Sequence, residues 1–93
     1  MTNQEIQTAA EQLAGWEVVQ VGDVPQLTKV YSFTNFLDAL AFSNRVGALA
    51  EEHDHHPALL TEWGKVTVTW WTHSVQGLTE NDFGMAAKVD GLD

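Results

Sequence analysis

Cysteine is absent from the chain and basic residues are scarce: Lys29, Arg45, Lys65 and Lys88 are the only ones among 93 residues. The first absence excludes disulfides, thiol chemistry and any cysteine-ligated zinc site. The second, set against 13 Asp and Glu, gives a formal charge of -9 and argues against nucleic acid or an anionic membrane as a general partner. A small neutral or partly aromatic ligand meets no such repulsion. No apolar run approaches the ~18 residues of a membrane-spanning helix, and the N-terminus shows neither the basic nor the apolar region of a secretory leader. The expectation is a soluble, cytoplasmic chain. Repeats, long linkers and low-complexity tracts are also missing, so residues 1–93 read as one small domain, near the size at which self-association helps.

What is present argues for a packed core. Hydrophobic residues make up 44% of the chain and include Trp16, Trp63, Trp70 and Trp71, too many for disorder despite the charge. Thr2 and Glu5 form a capping-box pattern ahead of Ile6, Ala9, Ala10 and Leu13, with Gly15 as a stop. Two β-rich segments follow, roughly 16–21 and 27–33, joined by the turn residues "GDVP". Thr34 or Asn35 caps a longer helix whose line Ala39, Phe42, Val46 and Leu49 faces inward; Pro57 ends it around 51–55. Two strands then meet at Gly64. In the second, Val66, Val68 and Trp70 share one face, while Lys65, Thr67, Thr69, Trp71 and His73 share the other. Thr79 caps a last helix with Asp82 at its third position and Leu78 against Phe83 as a staple. Hairpins joined by a long helix predict an α+β fold with helices against a sheet.

The chemistry concentrates in "EEHDHHP", Glu51 to Pro57, which holds three of the four histidines. One reading is a metal cluster from His53, His55 and His56 with Glu51, Glu52 and Asp54. It lacks HExxH spacing, and adjacent His55 and His56 diverge in an extended chain. A second reading is an acid–base site, since imidazole moves protons near neutral pH without a cofactor. His55 and His56 sit where the helix breaks, His73 sits at the end of a predicted strand, and Trp16, Trp63 and Trp71 supply candidate flat apolar walls. The plainer reading makes His53 a partly buried helix-end residue, Glu51 and Glu52 solvated charges, and Asp82 a helix cap.

The order Glu51, His55-His56-Pro57, Trp63, His73, Asp82 is similar to that of the pterin-4a-carbinolamine dehydratases. Some animal members of that family double as dimerisation cofactors of a homeodomain transcription factor. The segment "THSVQGLTENDF", Gly15-Trp16, and the run Phe33, Phe36, Ala39, Phe42, Val46 extend the resemblance over nearly the whole chain. Lys29 stands where many relatives have arginine, Trp63 where tyrosine is frequent, and Val75-Gln76-Gly77 departs from a more glycine-rich turn. The resemblance implies a four-stranded antiparallel sheet with three helices on one face, and dimers or tetramers. It implies a 4a-hydroxytetrahydropterin substrate, dehydrated to quinonoid dihydropterin with no metal or redox cofactor. His55 and His73 would handle the proton transfers and His56 would position the hydroxyl or ring. Glu51, Asp54 and Asp82 would orient and tune the imidazoles. Trp16, Trp63 and Trp71 would line the pterin pocket. A non-enzymatic dimerisation or stabilising protein is the competing class.

Overall fold

The computed structural model describes residues 1–93. Three helices, α1 (Asn3–Glu11), α2 (Phe36–Glu52) and α3 (Glu80–Asp90), accompany four strands, β1 (Glu17–Val21), β2 (Val24–Ser32), β3 (Ala58–Glu62) and β4 (Lys65–Trp70). The strands form one antiparallel sheet in the order β1-β2-β4-β3. The α+β architecture matches the expectation.

Strand parity sets the layers. Leu27 and Tyr31 on β2 and Val66, Val68 and Trp70 on β4 are buried on one face, in a cluster with Ala39, Phe42, Val46 and Ala50 of α2 and Phe83, Met85, Ala86 and Val89 of α3. Thr28, Val30, Thr67 and Thr69 point to the other face and stay half-buried or exposed, the alternation expected of a sheet covered on one side. The Thr28 and Thr69 hydroxyls bond across that open face at 3.0 Å.

Two connections differ from expectation. β1 and β2 reverse through Gly22-Asp23 alone, because Val21 pairs with Val24 and Gln20 with Pro25. Gly22 takes φ +60, the first central position of a turn whose twist suits a two-residue hairpin. Val24 and Pro25 therefore belong to the strand. After Trp70 the chain leaves the sheet, so His73 does not end a strand; it opens a short 3₁₀ turn, His73–Val75. Mutual backbone hydrogen bonds between Thr72 and Gly77 tie the base of that turn.

Both ends of α2 and the start of α3 follow local rules. Asn35 Oδ1 accepts the Asp38 N–H at 2.8 Å and caps α2. At its far end the Asp54 N–H bonds to the Glu51 carbonyl and the His55 N–H to the Ala50 carbonyl. That is the bond pattern of a Schellman stop, with Asp54 at φ 49 in the left-handed position that glycine usually fills. Leu78 and Phe83 are both buried beside the start of α3, as a staple requires. His53 departs from its expected partial burial: as the C-cap of α2 it turns outward and is exposed.

Candidate active site

The Schellman stop delivers His55 to the edge of the core, where its imidazole stacks on the Trp70 indole with centroids 5.4 Å apart and planes 14° from parallel. Trp70 is fully buried and its indole N–H has no partner within the chain, so packing alone holds the ring. One edge of the imidazole then meets Asp82. His55 Nε2 lies 2.6 Å from Asp82 Oδ1, and the aspartate has no exposed surface.

Asp82 performs two jobs with two oxygens. Oδ2 accepts the Thr79 N–H at 2.9 Å, the reach-back half of the α3 capping box, and the Thr72 hydroxyl at 2.8 Å. Oδ1 is left to His55. The same side chain makes the cap contacts and the contact to His55, which the sequence presents as alternatives. The contact engages Nε2 and leaves Nδ1 outside the bond to Asp82.

His55, His56, His73 and Asp54 line one cleft of about 360 Å³ together with Thr72 and Ser74. His56 is exposed, with Nε2 2.8 Å from Glu51 Oε2 one helical turn back. His73 is exposed and stacks on Trp71 with centroids 4.7 Å apart and planes 18° from parallel. The histidines lining the cleft are backed by two tryptophan stacks and two carboxylate contacts. The two bonded histidines have different carboxylate partners, and no group of three or more histidines and carboxylates has the geometry to hold a metal ion.

None of the three tryptophans assigned to the pocket lines the cleft: Trp71 stacks behind His73, and the other two lie farther away. Trp63 sits 73% exposed at the β3–β4 turn, because the five residues of β3 carry the chain roughly 17 Å from His56 and Pro57 at ~3.3 Å per residue. Trp16 is buried against Tyr31, and its indole N–H donates to Asp90 at 3.1 Å. Asp90 also accepts from Lys29 Nζ at 2.8 Å and from the Tyr31 hydroxyl. Burial works to raise its carboxyl, but hydrogen bonds from Lys29, Tyr31 and Trp16, with the Lys29 charge, outweigh this and hold it below the usual carboxylate range. Burial, then the hydrogen bond to Asp90 and its negative charge, push the Tyr31 phenol up.

Sequence reasoning did not single out Thr72 or Ser74 for the cleft, nor Trp70 as the platform under His55. The Thr-His dipeptide was visible, but no spacing rule gives a threonine hydroxyl a carboxylate ten positions later. Trp70 has the parity of the core and is in the core; it reaches the site only through His55, which stacks on it.

The model of the family described as pterin 4 alpha carbinolamine dehydratase matches residues 1–92. The chain belongs to this family. Its chemistry is the dehydration of a pterin-4a-carbinolamine. A relative from Vibrio vulnificus, provisionally named a pterin-4-alpha-carbinolamine dehydratase, is 53% identical over 92 residues, covering 99% of this chain and 84% of its own. A similarly named relative from Microcystis aeruginosa is 51% identical, covering 99% of this chain and 79% of its own. The crystal structure of a transcriptional coactivator/pterin dehydratase from Brucella melitensis superimposes with a TM-score of 0.87 at 34% identity, over 99% of this chain and 96% of that one. A pterin dehydratase-like protein identified as a RuBisCO assembly factor in the alpha-carboxysome aligns with a TM-score of 0.68 at 28% identity, over 84% and 88%.

Proposed function

We propose that this chain dehydrates a 4a-hydroxytetrahydropterin, 4a-hydroxytetrahydrobiopterin being the specific substrate, by histidine acid–base catalysis in the cleft between the end of α2 and the 3₁₀ turn. The observation that carries the reading is His55, fixed between Trp70 and the buried Asp82, facing the same cleft as His56 and His73. The reaction removes the proton from N5 and the hydroxyl from C4a, forming a C4a–N5 double bond and water. No electrons are transferred, and the two protons cancel.

His55 is the base. Its Nε2 is engaged by Asp82, so Nδ1 accepts the N5 proton, and the adjacent carboxylate stabilises the imidazolium that forms. His73, which carries no carboxylate partner, delivers a proton to the departing hydroxyl. His56, tethered to Glu51, positions the hydroxyl or ring. Trp71, stacked on His73, supports that imidazole at the rim. Separate His55→Ala and His73→Ala variants are expected to lower turnover about 10²- to 10⁴-fold, the range for a general acid or base, and to leave unfolding cooperative. Full turnover in both variants refutes the assignment.

A homo-oligomer, dimer or tetramer, fits the surface. Leu37 is 74% exposed on α2 beside Phe36 and Leu40, Trp63 is 73% exposed, and β1 and β3 are open sheet edges. The same apolar surface favours, as a second reading, a protein-binding role like those named for the Brucella and carboxysome relatives. A specific protein complex formed without any turnover would favour that role over the enzyme.

A further inference from the structure

We infer that Thr72 is a positioning residue for both proton-transfer histidines, joining the carboxylate that holds His55 to the loop that carries His73. The inference rests on the catalytic reading above. Thr72 is half-buried and directly precedes His73. Its hydroxyl donates to Asp82 Oδ2 at 2.8 Å and lies 2.9 Å from the Thr79 hydroxyl. Its backbone N–H and carbonyl exchange hydrogen bonds with Gly77, at 2.8 and 3.4 Å, closing the loop that bears His73 and Ser74.

These bonds have different consequences. The backbone pair fixes where the His73 turn begins, and any residue with an ordinary N–H would make it. The hydroxyl bond is specific to this side chain. Together with the Thr79 N–H, it occupies Oδ2 and turns the carboxylate so that Oδ1 meets the imidazole. Without it, Oδ2 keeps the Thr79 N–H and a long 3.4 Å contact to the Thr79 hydroxyl, and the carboxylate plane is free to rotate about its cap. Rotation lengthens the 2.6 Å bond to His55. Thr72 thus sets the His55 ring by one group and the His73 turn by another, and so sets the distance across which one substrate is gripped.

Three variants separate this from a purely structural role. Thr72→Val removes the hydroxyl at nearly constant shape, Thr72→Ser restores it, and Thr72→Cys offers a weaker sulfur donor if the valine variant does not fold. Two readouts are used: kcat and KM for a 4a-hydroxytetrahydropterin, and the downfield proton resonance of the short His55–Asp82 hydrogen bond, observed without substrate. Thr72→Val is expected to lower kcat roughly tenfold to a hundredfold, the size of losing one hydrogen bond to a charged group, with little change in KM. The His55 N–H resonance should move upfield or broaden away. Thr72→Ser should recover both, and Thr72→Cys should fall between. Loss of thermal stability with an unmoved resonance and wild-type kcat overturns the inference. So does a valine variant whose resonance is unchanged. If wild-type protein shows no turnover, the catalytic reading fails, and the resonance still decides whether Thr72 positions His55.

Discussion

Replacing Asp82 with asparagine divides the carboxylate's two roles. Both α3-side donors, the Thr79 N–H and the Thr72 hydroxyl, converge on Oδ2, so the amide oxygen of Asp82→Asn takes that place and the cap survives. The amide nitrogen then faces His55 Nε2, which must accept instead of donate, and the imidazole proton moves to Nδ1. Nδ1, the base nitrogen of the proposed mechanism, changes from acceptor to donor. Turnover is expected to fall about 10²- to 10⁴-fold, the share of a general base. Stability changes less than in Asp82→Ala because every donor keeps a partner: at His55 a charge-assisted bond of about 1.5–3 kcal/mol gives way to a neutral one of about 0.5–1.5, a loss of about 1–1.5 kcal/mol there, and the two bonds to Oδ2 weaken without being lost. Asp82→Ala removes both oxygens. It strands the half-buried Thr79 N–H and frees His55, at a cost of about 3–5 kcal/mol, a large part of the ~5–15 kcal/mol that small domains have. Urea unfolding, with turnover measured on the same preparations, checks the pair. An Asp82→Asn variant within about threefold of wild-type kcat/KM, or one as unstable as Asp82→Ala, refutes the division.

Further outcomes concern other parts of the chain. Asp54→Gly should raise stability by about 0.5–1 kcal/mol, because glycine accepts the left-handed conformation without a Cβ penalty, and should reduce turnover because Asp54 lines the cleft. A destabilised, fully active variant contradicts both halves. The Tyr31 phenol is raised above its ordinary 10.0, so its contribution to stability is complete below that pH and is lost as the unfolded tyrosine ionises above it. Denaturant unfolding on either side of pH 10 should show that decline, and Tyr31→Phe should flatten it. Asp90 is lowered, so its contribution is present above the ordinary 3.8 and disappears as acid drives the folded carboxyl to protonate. Asp90→Asn should remove that part of the acid dependence.

The fold was largely legible because its signals are local. The Thr2–Glu5 box, the Leu78–Phe83 staple and the parity of Val66, Val68 and Trp70 each lie within one turn or strand, and each appears as expected. The site was legible in part. Its histidines stood out by spacing and resemblance, and Asp82 by its place in a cap. The indole under His55 and the threonine link were not, because they arise only when α2, β4 and α3 meet. Trp16 and Trp63 went astray for the same reason: an aromatic type fits a pocket wall, yet tertiary placement sends one into an Asp90 network and the other to a hairpin tip. His53 shows a smaller failure, since periodicity continued one step past the residue at which the helix turns away.

The stop at Asp54 also makes α2 a measuring element. A helix advances about 1.5 Å and rotates about 100° per residue. Adding or deleting one residue upstream of Ala50 while the buried stripe stays seated would swing the Ala50 and Glu51 carbonyls that receive the closing bonds, and His55 with them, around the axis. The ring would leave both Trp70 and Asp82 at once. The length of α2 is therefore under a geometric constraint separate from its hydrophobic content. Substitutions along its exposed side are open to drift, whereas insertions anywhere within it are not.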